Sequence, residues 1–276
     1  HASNKKVENI KLDEYLYGVV SAEMPASFET EALKAQAVVA RTYTLYKMIN
    51  NAGKHKDVNA NICDSSTCCQ AWISKEDRLK KWNEKDRDMY WNKIVNAVNT
   101  TQGKIITYGG KPINAFFHAN SGGATEAPVN VWGGTGYPYL QTVTTSGENA
   151  YSGYSSKVTV SKKDFESKIK EKHSNFKINF DDKECIIIKE YTDGNRVKTI
   201  KIGNLELSGV EIRSIFSLRS ANFKVTIKDD SIIFEVVGYG HGVGMSQTGA
   251  DSLAKEGKNY EEIIKHYYTG VKIEDM

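Results

Sequence analysis

The stretch Lys11-Leu-Asp-Glu-Tyr-Leu-Tyr-Gly-Val-Val20 carries apolar side chains at Leu12, Leu16, Val19 and Val20. That spacing predicts one apolar helix face. Asp13 reads as the N-cap, and Pro25 forces the helix to end nearby. Glu23 continues the stripe, four positions after Val19 and seven after Leu16, so it is expected to point inward. A second helix is predicted over residues 31–48, rich in helix formers, with Leu33, Ala37, Ala40, Thr44 and Met48 on one face and Arg41 beside it. Its alanines would let the Glu23 helix approach closely. Residues 75–99 read as a third helix with Trp82, Met89, Ile94, Val95 and Val98 inward.

From Gly103 the period changes to that of strands. Residues 104–108, the turn Gly109-Gly110 and residues 112–118 predict a β-hairpin. Residues 155–235 shift to lysine with β-branched residues. They predict an amphipathic helix over 161–173, strands over 184–189, 198–202 and 223–228, and turns at Asp193-Gly194 and Asp229-Asp230. A strand over 232–237 then feeds the loop Gly238-Tyr-Gly-His-Gly-Val-Gly-Met-Ser-Gln-Thr-Gly249, and helices run to about Tyr268. The expected fold class is α+β, a helical segment packed on antiparallel strands. Its core lobe would comprise residues 8–154 and 236–276, with a smaller inserted α+β lobe at 155–235.

Composition narrows the function classes. With 39% hydrophobic and 26% charged residues, the chain reads as an ordinary folded domain. A net charge of +3 without a basic stripe argues against nucleic acid as partner. No apolar run reaches the length of a membrane span. The start, His1-Ala-Ser-Asn-Lys-Lys, has no signal-peptide apolar core. A native export signal or anchor is therefore expected upstream of it.

Three regions carry candidate chemistry. A carboxyl group on an apolar face near a helix C-terminus has two reasons for a raised pKa, as a general acid needs. The competing reading of Glu23 is a buried acid paired with a nearby arginine. The glycine-rich loop lacks Gly-Lys-Ser/Thr, so it is no P-loop, and no acidic residue follows at dinucleotide-binding spacing. Its glycines allow close backbone approach to a ligand. Ser246 would cap the following helix, with His241 and Gln247 facing a cleft; the alternative for His241 is a solvated loop histidine. His118 precedes Ser121-Gly-Gly, but neither a nucleophile elbow nor a His-Glu-x-x-His pair is present. Finally, Cys63-Asp-Ser-Ser-Thr-Cys68-Cys69, with His55 and Asp57 upstream, is a candidate zinc loop. A disulfide is the competing reading, and it would leave an odd thiol. Cys185 reads as core.

Several segments together resemble one family. Tyr15-Leu-Tyr-Gly-Val-Val-Ser-Ala-Glu-Met-Pro25, Glu31-Ala-Leu-Lys-Ala-Gln-Ala-Val-Val-Ala-Arg-Thr-Tyr43, Ser121-Gly-Gly-Ala-Thr125, Gly136-Tyr-Pro-Tyr-Leu140 and Gly240-His-Gly-Val-Gly-Met-Ser-Gln-Thr-Gly-Ala250 are similar to the stage II sporulation protein D family, related to amidase enhancers. The resemblance skips about residues 155–235. It implies a lytic transglycosylase that cuts peptidoglycan glycan strands during engulfment, after a partner amidase has removed the stem peptides.

On that resemblance Glu23 is the catalytic acid and base. It would protonate the oxygen between MurNAc and GlcNAc, then take the proton of the MurNAc C6 hydroxyl as that oxygen closes on C1. One carboxyl suffices, unlike the two of ordinary glycosidases. Arg41 would orient Glu23 or the sugar, and Tyr139 would contact glycan. His118, Ser121, His241, Ser246 and Gln247 complete the expected substrate-binding set. Where the family pattern has lysine after Tyr-Leu, this chain has Gln141. The cysteine loop resembles the zinc site of some clostridial members, a structural zinc with His55, Cys63, Cys68 and Cys69 as expected ligands and Asp57 as a further candidate. Expected partners are glycan strands, the stage II sporulation amidase P and the membrane protein M. The cleft would be completed within one chain or by a second copy in a dimer. The expected location is outside the cytoplasm, membrane-anchored, between the mother cell and forespore membranes. A non-catalytic glycan-binding amidase enhancer is the principal alternative; a lysozyme-like hydrolase is a weaker one.

Overall fold

A computed structural model describes residues 1–50, 55, 58–135 and 137–276. The fold is α+β, and the chain forms two compact units: residues 1–116 with 250–276, and residues 117–249. The expected lobe at 155–235 lies inside the second unit.

The first unit is built on helices α1 (Leu12–Glu23), α2 (Thr30–Ile49), α3 (Lys75–Lys81) and α4 (Glu84–Asn99). Leu16, Val19 and Val20 of α1 are buried, as are Leu33, Ala37, Val38 and Ala40 of α2. The small side chains of α2 let helices contact it on several sides, so its burial is nearly all-round. Asp13 is not the cap of α1. Lys11 holds that position, and Asp13 sits in the first turn, accepting from Arg41 Nη2 at 3.1 Å and Gln102 Nε2 at 3.0 Å. Met24 and Pro25 stop α1, which makes Glu23 its last residue.

The single helix expected over 75–99 is two. Trp82 is extended and Asn83, a favoured cap type, starts α4. The break changes the buried face: Trp91, Ile94, Ala97 and Val98 point inward, while Met89 is 59% exposed. Strands β1 (Lys104–Tyr108) and β2 (Lys111–Pro112) form a short antiparallel pair. Gly109 and Gly110 join them at φ 58° and 73°, the positive values a type I′ turn requires. The expected longer hairpin is absent. Beyond Pro112 the chain leaves the sheet, and the other edge of β1 is taken by Lys272–Asp275, a strand the hydrophobic pattern does not reveal.

In the second unit, Ser155–Ser161, Ser231–Val237 and Phe223–Lys228 form one antiparallel sheet, and Ile186–Tyr191, Val197–Ile202 and Leu205–Ser208 another. Phe165, Phe176, Phe216, Phe223 and Phe234 belong to one buried cluster. Phe165 stacks on Phe216 at 5.0 Å. The helix expected near 161–173 is Lys162–Lys170, with the Ser161 hydroxyl accepting from Asp164 N–H at 3.0 Å. A short parallel pair, Phe117–His118 with Met245–Ser246, brings the His118 and Ser246 regions together.

Candidate functional site

Glu23 is half-buried at the C-terminal end of α1. Its Oε1 accepts the backbone N–H of Ala71 at 2.6 Å. The segment 70–73 lies along α1, so close that a Cβ on Gly18 would stand 2.2 Å from Trp72 Nε1 and 2.7 Å from the Ile73 carbonyl. Gln70 Nε2 donates to the Tyr15 hydroxyl at 3.1 Å and to Thr44 Oγ1 at 2.9 Å, fixing the segment to α1 and α2. Burial holds the Tyr15 hydroxyl well above the usual tyrosine pKa.

Arg41 is fully buried. Its guanidinium donates to the carbonyls of Thr101 (2.8 Å), Lys104 (3.2 Å) and Val98 (3.3 Å), and to Asp13. The expected role in orienting Glu23 or the sugar is not among these contacts. Arg41 ties α1, α2 and the end of α4 to β1, and has no surface to offer a ligand.

The segment holding Glu23 is entered from the cysteine loop. His55, Cys63, Cys68 and Cys69 place one ligand atom each within 4.8 Å of one another. His55 Nε2 is 3.3 Å from Cys69 Sγ and 3.7 Å from Cys68 Sγ, and those sulfurs are 3.9 Å apart. Tetrahedral zinc with the usual Zn–S and Zn–N lengths requires ligand separations of about 3.5–3.8 Å. The residues therefore fit a Cys3His ion site. All four cysteines are free thiols. Burial pushes the Cys69 thiol up to about 12, so an ion that favours thiolate would offset a real cost. Asp57 lies outside the described residues.

The second unit is organised by an acid that the sequence does not single out. Glu148 is 2% exposed. Its carboxylate accepts the N–H groups of Ser121 and Gly123 at 2.9 Å each, the hydroxyls of Ser121 (2.5 Å), Thr145 (2.6 Å) and Thr248 (3.2 Å), and the Ser246 hydroxyl. Burial works to raise its pKa; the bonds from Ser121, Ser246 and Thr145 overcome it and hold the carboxyl down at about 2. Ser121 and Ser246 are fully buried on this acid. Their hydroxyls are committed to the carboxylate that joins the two loops. Ser246 does cap the helix Gln247–Lys255, accepting from Gly249 N–H at 3.2 Å.

Val243 sets two imidazoles. Its carbonyl accepts His118 Nδ1–H at 3.2 Å and its N–H donates to His241 Nδ1 at 3.0 Å. Burial first, then His241 and Arg196, lowers His118 to about 3. Burial, then Arg213 and Arg196, lowers His241 to about 4. Both rings are neutral at pH 7. His118, Tyr139 and Gln247 are buried; of the expected contacts in this unit, His241 alone keeps surface. Gln141 is exposed, its side chain donating to the Pro138 carbonyl at 2.8 Å.

Arg196 is a second residue that sequence reasoning passes over. It is 3% exposed and donates to the carbonyls of Ala124 (2.8 Å), Gly194 (2.7 Å) and Ser121 (2.9 Å). Gly242, at φ +86°, rests on this guanidinium, where a Cβ would come within 2.2 Å of Nη2. The region 155–235 thus supplies a cation that shapes both motif loops.

A stage II sporulation protein (SpoIID) family model matches residues 1–108. Stage II sporulation protein D of Bacillus subtilis is 37% identical over 99% of this chain and 77% of its own length. The chain belongs to the stage II sporulation protein D family. The Bacillus amyloliquefaciens protein of that name is 38% identical over the same shares. An amidase enhancer of Bacillus subtilis is 28% identical over 94% of this chain and 40% of that protein. The family membership covers the segment between the motifs as well as the motifs themselves, which the sequence resemblance left out.

Proposed function

We propose that this family member is a peptidoglycan lytic transglycosylase acting on peptide-free glycan strands. The observation that carries the proposal is the Glu23 carboxyl, half-buried at the end of α1 and held in one orientation by Ala71 N–H. Glu23 gives its proton to the glycosidic oxygen as the bond from MurNAc C1 breaks. It then accepts the proton of the C6 hydroxyl, whose oxygen bonds to C1. The products are a GlcNAc hydroxyl end and a 1,6-anhydro-MurNAc end, with the acid regenerated and no water consumed. Of the expected glycan contacts in the second unit, His241 keeps surface.

His55, Cys63, Cys68 and Cys69 would hold zinc. Four protein ligands fill a tetrahedral shell and leave no open position, so the ion serves structure, fixing the loop that continues into Gln70 and Ala71. In the cell the partners are the amidase P that strips the peptides and the membrane protein M, and the place of action is between the mother cell and forespore membranes. Among the described residues no helix is long and apolar enough to cross a membrane.

The likeness to an amidase enhancer favours one second reading, a glycan binder that stimulates a partner hydrolase. Mass spectrometry of peptide-free strands treated with the parent and with Glu23→Gln separates the two. The expected result is anhydro-MurNAc ends from the parent, falling by a factor of about 10²–10⁴ in the variant. Strand binding without new ends from either protein selects the enhancer. Reducing ends in place of anhydro ends select a hydrolase.

A further inference from the structure

Trp132 closes a four-residue helix, Val129–Trp132, and is 49% exposed, whereas Trp72, Trp82 and Trp91 are half-buried or buried. The ledge beneath it is firmly built. Buried Glu126 accepts Ala127 N–H at 2.8 Å and Asn130 Nδ2–H at 2.7 Å through one oxygen, and the Thr192 hydroxyl through the other. Its own N–H donates to the Gly242 carbonyl at 2.8 Å, which joins the ledge to the glycine-rich loop. The indole meets the His241 ring at 5.1 Å, and His241 meets His118 at 5.7 Å. His241 is fixed by Val243 N–H and stays uncharged.

A large aromatic ring left half in water forfeits apolar burial. Here the short helix that carries it is also fixed at its start by the hydrogen bonds to Glu126, and such preorganisation lowers the entropic cost of binding. The imidazoles behind it are neutral, and buried Arg196 with half-buried Arg213 near His241 disfavour a cationic ligand on the ring. A pyranose suits the surface: its flat C–H face lies on the negative face of the indole, while its hydroxyl and acetamido groups keep their water.

We propose that Trp132 is a stacking subsite for one N-acetylhexosamine ring of the glycan strand, with His241 as the positioning residue that holds the indole. The assignment rests on the glycan-strand reading above.

The test uses Glu23→Gln as a background that does not consume its ligand, titrated with peptide-free strands and followed by tryptophan emission and by pull-down. Trp132→Ala and Trp132→Phe are compared in that background, and their cutting of strands is assayed with Glu23 restored. The expected result is a saturable change in emission that vanishes in both Trp132 variants. Binding should weaken about tenfold in Trp132→Ala, by analogy with ring stacking on aromatic side chains, and Trp132→Phe should recover most of it. Unchanged affinity in Trp132→Ala, with strands still cut, overturns the subsite and leaves the transglycosylase reading standing. Trp132-dependent binding by a protein that never cuts supports the subsite and removes that reading. If the Glu23→Gln protein binds no strands, the subsite falls as well.

Discussion

Glu23 and Glu148 are both withdrawn from bulk water, and their surroundings make them different groups. Glu23 is half-buried at the end of its helix, and one of its oxygens accepts the backbone N–H of Ala71. Glu148 is almost completely buried and takes donors from Ser121, Gly123, Thr145, Ser246 and Thr248. A carboxylate saturated with donors has its charge form fixed and is a poor proton carrier. A carboxylate with access to solvent can exchange its proton with a ligand. Glu23 keeps that access and Glu148, at 2% exposure, does not, so the reading of Glu23 as a reacting acid and of Glu148 as a loop support turns on exposure and on the fixed charge of Glu148.

Replacing the two carboxylates should expose that contrast most strongly at Glu148. Glu148→Ala strands four hydroxyls and two backbone N–H groups, and is expected to cost about 3–5 kcal/mol in urea unfolding. Glu23→Gln, expected to remove strand cutting on the proposed reading, should stay within about 1 kcal/mol of the parent. A Glu148→Ala protein as stable as the parent would show that water replaces the carboxylate, and that the donor count has no structural meaning.

The next effect is a pH dependence, with a sign set by depressed folded-state pKa values. His118 at about 3 and His241 at about 4 lie below the ordinary histidine value, so the unfolded chain binds protons that the folded chain refuses. Stability is full above about pH 6.5 and declines as pH falls below it. Glu148, held at about 2, adds a second loss, beginning near the ordinary carboxylate value of about 4.3 and running down through its folded value. Urea midpoints measured from pH 7 to pH 3 should therefore fall in two stages. Glu148→Gln should remove the lower stage and leave the upper one. A single flat profile down to pH 4 would mean that the imidazoles are charged in the folded protein.

Helical periodicity made the first unit largely legible. Leu16, Val19, Leu33, Ala37 and Ala40 are buried as the stripes on α1 and α2 require, and the Cys63–Cys69 spacing pointed to the ligand cluster. The strand Lys272–Asp275 was hidden because it is a charged edge strand with no alternation to betray it. In the second unit the strand pattern of residues 155–235 could be read, but Glu148 and Arg196 could not. Each is defined by backbone groups distant in sequence, and a lone Glu after Ser146-Gly147 or a lone Arg after Asn195 carries no spacing signal. Trp132 carries no spacing signal either, since exposure is a property of the folded chain.

The smallest change with a specific readout is at Gly18. The position lies in the middle of α1, where alanine is the better helix former by about 1 kcal/mol, so propensity alone predicts stabilisation. Packing predicts the reverse, because the added Cβ would stand 2.2 Å from Trp72 Nε1 and 2.7 Å from the Ile73 carbonyl. The carbonyl belongs to backbone and cannot swing aside as a flexible side chain would. Overpacking of this kind costs about 1–3 kcal/mol, offset in part by the propensity gain. The segment 70–73 must then shift, and with it the Ala71 N–H that orients Glu23. Gly18→Ala should therefore lower the rate of strand cutting by more than its modest loss of thermal stability explains, with the ligand atoms of the cysteine cluster unchanged. If the variant cuts strands at the parent rate, the Ala71 bond does not set the orientation of Glu23, and that contact is incidental to the contrast with Glu148.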